Sequence, residues 1–490
     1  MLKSRLCIAF FAFAVGCAPA QKPLTDYVNP MLGTATLWDS VDLGFKPTKR
    51  TWGAEVFPGS SLPNAMVQVS PVTKFHSGAG YQYEDSVIYG FTHTNKGHWN
   101  LCHIPLLPVT GTPTPGDYCS PFSHERESAA PGYYQVFLDR YGVDAQLSST
   151  LRCAFHKYTY PAGAAASLLA DLQRSNEHVR AWDIRKEGDN VFAGWQQTGE
   201  KMYFYAVANR PVTGIEPVVE GDREVRIVRF GEGDGALELR IGFSFVSEKN
   251  ARENLEAEML GKSFAEVRSE ATATWNDLLG RIRVEGGTER EKGLFYSSLY
   301  RSFLWPALRS DVNGEFTDVD GKVINPGFRY YTGPSYWDDY RNKLILLGML
   351  APDVAADVIS SDTDKGEKRG GFMPTFFHGD HASAFVAGTY LRGNRGFDVN
   401  RAYNLVLRNA TVQGPSRPWL DEYIAKGYIS EMDVENPVTW TVCKAAVTKT
   451  LEYSYDDYAV ALLADALGDK ENHDMLMKRT SNYKLSLIHI

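Results

Sequence analysis

Cysteine is scarce and unpatterned. Six occur in 490 residues, and none stands in a C-x-x-C spacing, so neither a zinc site nor a dense disulfide framework is indicated. Excess positive charge is missing as well. Lys and Arg total 51 against 59 Asp and Glu, for a net charge of −8, which argues against nucleic acid as a partner because that calls for basic patches. Beyond the N-terminus no apolar run reaches the roughly 18 residues needed to cross a bilayer. Internal repeats and low-complexity tracts are absent too.

The N-terminus reads as an export signal. Residues 1–20 carry Lys3 and Arg5, then a nearly unbroken apolar run over 8–15, then small residues. Ala14-Val15-Gly16-Cys17 has the form of a bacterial lipoprotein box, which makes Cys17 a candidate lipid anchor and the one expected membrane contact. Ala18-Pro19-Ala20 fits an ordinary A-x-A cleavage site equally well. The expected location is outside the cytoplasm: periplasmic, outer-membrane-anchored or secreted.

After the signal the pattern is β. Alternating runs such as Ala65-Met66-Val67-Gln68-Val69, Tyr133-Tyr134-Gln135-Val136-Phe137-Leu138 and Lys201-Met202-Tyr203-Phe204-Tyr205-Ala206-Val207 are separated by Gly, Pro and Asp turns. This predicts an antiparallel β-sandwich over 24–249. The period then turns helical over 250–287, a connector that ends at Gly286-Gly287, and helical segments dominate 288–490. Phe122-Ser123-His124-Glu125-Arg126-Glu127 reads as a solvated turn leading into a strand.

Around Tyr331-Thr332-Gly333-Pro334-Ser335-Tyr336-Trp337-Asp338-Asp339-Tyr340-Arg341 the chemistry concentrates. A Gly-Pro turn releases the chain into a helix start with acidic residues in its first turn. The following Leu344-Ile345-Leu346-Leu347 predicts a helix buried on every face. Trp337, Asp338 and Arg341 then stand at its mouth: a flat face and charged groups suit the stacking face and vicinal hydroxyls of a sugar. The competing reading is a helix cap with an Asp338–Arg341 ion pair.

Three more stretches carry candidates. The loop Gly90-Phe91-Thr92-His93-Thr94-Asn95-Lys96-Gly97-His98-Trp99-Asn100 offers His93 and Trp99 to a ligand from a rigid sandwich; as metal ligands His93 and His98 lack a third partner nearby. In His378-Gly379-Asp380-His381, Asp380 is either an N-cap or, with His381, a holder of hydroxyls. In Thr450-Leu451-Glu452-Tyr453-Ser454-Tyr455-Asp456-Asp457-Tyr458, helical spacing puts Leu451, Tyr455, Tyr458, Ala459, Leu462, Leu463 and Ala466 on one apolar arc, expected to be the buried one. Glu452 falls within that arc, Asp456 at its edge and Asp457 outside it. An unpaired carboxylate on a buried face costs several kcal/mol, so Glu452 either meets an Arg in the core or lines a polar cavity.

Ordered blocks then bring a resemblance into view. Tyr27-Val28-Asn29-Pro30, Phe57-Pro58-Gly59-Ser60-Ser61-Leu62-Pro63, Met66-Val67-Gln68-Val69-Ser70-Pro71, Tyr89-Gly90-Phe91-Thr92-His93, Pro131-Gly132-Tyr133-Tyr134, Phe295-Tyr296-Ser297-Ser298-Leu299-Tyr300-Arg301, Trp337-Asp338-Asp339-Tyr340-Arg341 and Thr450-Leu451-Glu452-Tyr453 follow one another as in bacterial exo-acting α-mannosidases of glycoside hydrolase family 92. The resemblance implies an N-terminal β-sandwich, a helical connector and an (α/α)6 barrel, with the active site between them. It also implies calcium-dependent removal of terminal α-linked mannose, α-1,2-type or related, from N-glycans and mannosides with inversion. Trp337, Asp338, Arg341, His93, Trp99, Asp380, His381, Glu452 and Asp456 are the positions expected to bind substrate.

Two departures qualify that expectation. Lys96-Gly97-His98-Trp99-Asn100 and Gly379-Asp380-His381 differ from the commoner family pattern, so no single linkage is assigned. The family's Glu-Gly-Asn and Gly-Gln-Met-Ser blocks, which carry the general acid and base, are not found, and the resemblance stops at Lys484. The expectation is a truncated barrel whose catalytic pair and calcium ligands belong beyond Ile490. Such a chain would be inactive, leaving a sugar-binding protein or an inert fragment as the alternative, and a glycosidase of other specificity on the same plan as a third.

Overall fold

The structure is a computed structural model that describes residues 22–36, 44, 54–94, 101–233, 235–430 and 445–487. The signal segment, Cys17 and Trp99 lie outside the described residues. Two large antiparallel sheets and a short two-stranded ladder, Val87–Ile88 with Ser120–Pro121, form the N-terminal domain. One has the spatial order Ser60–Ser61, Gln68–Val72, Gly90–Thr92, Leu106–Val109, Ser167–Ala170, Arg223–Phe230, Val212–Glu220. The other runs Ala181–Gly188, Val191–Gln197, Lys201–Ala208, Leu237–Ser244, Cys153–Thr159, Val143–Ser149, Tyr133–Leu138, Glu127–Ala130. The alternation legible in the sequence is the burial pattern: along Lys201–Ala208 every second residue is buried. The stretch over 122–127 is not wholly solvated. The Glu127 side chain is buried and accepts hydrogen bonds from the Tyr81 and Tyr134 hydroxyls, with His124 Nδ1 at 2.5 Å.

Helices follow the last strand of the sandwich: α1 (Glu248–Glu258), α2 (Phe264–Leu279) and α3 (Glu289–Ser302). Helix α1 lies flat on the second sheet because Gly242 leaves room: a Cβ there would stand 2.1 Å from the Ala251 carbonyl oxygen. Capping boxes start α2 (Ser263 with Glu266) and α3 (Thr288 with Glu291). Beyond them come α4 (Tyr336–Asp339), α5 (Lys343–Leu350), α6 (Pro352–Lys368), α7 (Ala382–Leu391), α8 (Val399–Thr411), α9 (Leu420–Lys426), α10 (Ala446–Leu467) and α11 (Lys470–Arg479). The chain is thus a β-sandwich followed by a helical domain, and a single apolar cluster runs through both, from Leu24 to Leu476.

The domains are bonded as well as packed. Arg152, on the turn before strand Cys153–Thr159, donates to the Ser310 carbonyl at 2.8 Å and pairs with Glu258 of α1 at 2.6 Å. Asp311 accepts from Ser244 at 2.6 Å and from Asn250 and Asn254 at 2.9 and 2.7 Å. Gln68 of the sandwich donates to the Leu304 carbonyl at 2.7 Å. Polar groups at this buried junction find partners across it, which keeps the two domains in register.

Two helical expectations need correction. The helix after Trp337 is not continuous or buried on every face: α4 is one turn, Asn342 caps a new start at Lys343, and Ile345 and Met349 of α5 are 37% and 62% exposed. On α10 the apolar arc is buried only in part, at Ala459 and Leu463. Leu451, Tyr455, Tyr458 and Ala466 are exposed, while Asp456 and Asp457 are fully buried beside Tyr453, Val460 and Leu463. Buried arginines and a histidine neutralise those carboxylates, so charge pairing overrides the hydrophobic period.

Candidate functional site

The mouth of the helical domain is built on the turn into α4. Tyr336 is buried and its hydroxyl bonds Asp362 of α6, which anchors the turn. That leaves Trp337 half-buried and Asp338 and Arg341 exposed. Asp338 accepts a hydrogen bond from Ser335 Oγ, whereas buried Asp339 pairs with Lys343 at 3.2 Å. Arg341 donates to the Trp337 carbonyl at 3.0 Å and lays its guanidinium 4.5 Å from the Tyr340 ring centroid and 5.3 Å from that of Trp337. These bonds replace an Asp338–Arg341 ion pair. The guanidinium is therefore held over two aromatic faces.

Below this lies a histidine held between two carboxylates. His381, on the turn into α7, places Nε2 3.0 Å from Glu452 and Nδ1 3.0 Å from Asp456, both on α10. Its ring stacks on Tyr340 at 3.8 Å with 7° between planes, and Tyr455 stands 6.1 Å away. Burial opposes a charge on His381, but Asp456 and Glu452 outweigh it and push its pKa up to about 9. Asp456 is sealed from solvent, while the Glu452 side chain is 15% exposed. Glu452 is thus the member of the trio that reaches the surface.

Glycine makes the arrangement possible. Gly379 has φ +78°, and a Cβ there would stand 2.9 Å from both Glu452 Cβ and His381 Nε2. The backbone comes so close to α10 that a side chain would part the pair.

A buried charged layer supports the trio from behind. Asp380 takes Arg417 Nε at 3.2 Å, Asn409 Nδ2 at 2.9 Å and Ser383 Oγ at 2.7 Å, so it neither caps α7 nor faces a ligand. The Asp380 backbone N–H donates to Asp456 at 2.5 Å. Arg417 Nη1 meets Asp457 at 2.6 Å, and Arg479 Nε meets the other oxygen at 2.9 Å. Burial raises the pKa of Asp380, with Arg417 opposing and Asp456 adding to the rise.

Trp337, Asp338, Arg341, His381 and Glu452 are brought together at one mouth, with Asp380 and Asp456 beneath it. His93 is not. It is fully buried in the sandwich, with Nε2 3.0 Å from His156 Nε2 and its ring 4.6 Å from Phe243, and burial takes its pKa down to about 3. A neutral core imidazole satisfies the geometry, because the strand Gly90–Thr92 carries the chain inward at that point. Sequence reasoning missed Tyr340, Tyr455 and Arg417; the first two were legible as aromatic neighbours of named residues, the last had no local signal.

Carboxylates and a guanidinium set beside aromatic faces can exchange hydrogen bonds with hydroxyls while a ring stacks, which is the chemistry of a neutral polyol. A calcium cage asks for roughly six to eight oxygens. Among the described residues no group of three or more His, Cys, Asp or Glu is arranged to hold a metal ion. Asp380, Asp456 and Asp457 already have cationic partners, so the described residues at this site do not fit calcium.

Known proteins share this build. The glycosyl hydrolase family 92 N-terminal domain matches residues 27–253 and the glycosyl hydrolase family 92 catalytic domain matches residues 250–487. A family 92 α-mannosidase from Bacteroides thetaiotaomicron superposes with TM-score 0.83 at 26% identity, covering 95% of this chain. An inverting mannosidase of that family from the same organism superposes with TM-score 0.82 at 25% identity, also over 95% of this chain. A protein of Arthroderma benhamiae named as an uncharacterized secreted glycosidase is 24% identical over 94% of this chain. The chain spans 65% of each solved mannosidase and 61% of the fungal relative. With both family domains matched in sequence and the two-domain build shared throughout, the chain belongs to glycosyl hydrolase family 92.

Proposed function

We propose that this protein is an exported exo-acting α-mannosidase that removes terminal α-linked mannose from N-glycans and other mannosides. The observation that carries the reading is the mouth itself: Trp337 and Tyr340 under the Arg341 guanidinium, with Glu452 held at the surface by buried His381. A related family 92 α-mannosidase has been solved with mannoimidazole, and that supports a mannose-shaped occupant here. In this reading the terminal sugar stacks on Trp337 while Glu452 and Arg341 take its hydroxyls.

Inversion and calcium belong to the same proposal and rest on family membership. An inverting pair needs carboxyls roughly 6.5–9.5 Å apart on opposite sides of the scissile bond. Glu452 and Asp456 sit one turn apart on α10, and Asp456 is sealed; neither is assigned as acid or base, and no described residue is assigned to calcium. That same placement favours a second reading, in which these 490 residues bind mannosides without cleaving them. Incubation of the chain with 4-nitrophenyl α-mannoside and calcium, followed by proton NMR, separates the two. Release of β-mannose first supports the enzyme; binding without release supports the second reading; neither binding nor release removes both.

A further inference from the structure

Phe376 and Phe377 stand beside the mouth and take no part in the contacts described so far. Both are 42% exposed, in a loop just before Gly379, with ring centroids 3.9 Å apart. Phe377 meets the Trp337 ring edge-on, at 6.0 Å and 88°. Its backbone is left-handed, with φ +59°. A bulky aromatic residue rarely adopts that conformation, because its Cβ crowds the backbone and strains it. Glycine would occupy the position without strain. The fold therefore holds an exposed aromatic ring in a conformation it resists, next to the indole of the proposed sugar site.

We propose that Phe376 and Phe377 form a stacking platform for the second pyranose of the substrate, the sugar to which the terminal mannose is linked. This rests on the reading of Trp337 and Glu452 as the seat of the terminal mannose. Trp337 supplies the first flat face, and Phe377, turned nearly perpendicular to it, supplies the next. Two rings joined through a glycosidic oxygen present faces in different planes, which a perpendicular pair of aromatics can meet together. Apolar rings select for the C–H face of a sugar without fixing its hydroxyls, so the platform rewards a second pyranose as such. His378 follows immediately and accepts from Lys449 Nζ at 3.0 Å, which ties the loop to α10.

The test is a calorimetric comparison of methyl α-mannoside with a sulfur-linked α-mannobiose, which resists hydrolysis, on the wild-type chain and on Phe377→Gly. The wild type is expected to bind the mannobiose more tightly than the monosaccharide. Phe377→Gly is expected to reduce mannobiose affinity about 3- to 10-fold, to leave methyl α-mannoside affinity unchanged, and to melt at a higher temperature because the strain is relieved. A purely structural role would lower the melting temperature and weaken both ligands alike, overturning the platform. Equal affinity of the wild type for both sugars also overturns it while the terminal site stands. Binding of neither sugar overturns the terminal site, and the platform with it.

Discussion

His381 between Glu452 and Asp456 is the feature on which the site depends, and its charge state makes a testable demand. The folded pKa of about 9 lies above the ordinary histidine value of 6.5. The folded state therefore holds a proton that the unfolded chain gives up. Its stabilisation is full below about pH 6.5 and is lost as pH rises through about 9, on the order of 3 kcal/mol. Denaturant unfolding between pH 6 and 10 is expected to show that decline, and His381→Gln should flatten it. Arg417→Met leaves buried Asp380 without a cationic partner and Asp457 with Arg479 alone, and should destabilise by about 3–5 kcal/mol in the same assay. Trp337→Ala should leave stability nearly unchanged but weaken methyl α-mannoside binding by roughly 0.5–1.5 kcal/mol; unchanged affinity would assign Trp337 to packing alone. Helical spacing set Glu452 among apolar residues expected to be buried, which called for an Arg or a polar cavity; much of that arc is exposed, and the partner is His381. The partner's identity was not legible. His381 lies far away in sequence and is brought close by a glycine, and Arg417 stands 40 positions before the Asp457 it neutralises.

Helices α5, α7 and α10 enclose a groove of ≈ 200 Å³ lined by Leu344, Ile345, Leu391, Tyr455, Tyr458 and Leu462 among others. This explains why periodicity misjudged α10. Hydrophobic spacing identifies an apolar face but not what covers it, and here the apolar arc borders the groove while the charged arc is buried by its counter-ions. The strands were easier to read, since an alternation of period two has one buried face and a sandwich has one interior. With Met349, the groove residues leave an apolar surface of the kind that promotes association. Light scattering of the purified chain is expected to show self-association that Met349→Lys with Tyr458→Lys reduces, without a fall in melting temperature. In the α7 turn, Gly379→Ala should part Glu452 from His381 and lose mannoside affinity at least as severely as Glu452→Ala; retention of full affinity would show that the pair is not needed.

Two domains meet at a junction whose polar groups are paired across the boundary, so the sandwich acts as a rigid base for the helical mouth. The two-domain plan was legible from the change of period near residue 250 and from the ordered blocks shared with family 92. The place of His93 was not: read as a loop residue, it is core, with its Nε2 against that of His156, 63 positions on. The central proposal is a seat for a terminal mannose at Trp337, Arg341 and Glu452. A crystal structure of this chain soaked with mannoimidazole tests that most directly. The ligand ring is expected on the Trp337 face, with hydroxyls in hydrogen-bond reach of Glu452 and Arg341. Ligand bound elsewhere on the chain, or none at saturating concentration with the mouth open to solvent, would contradict it.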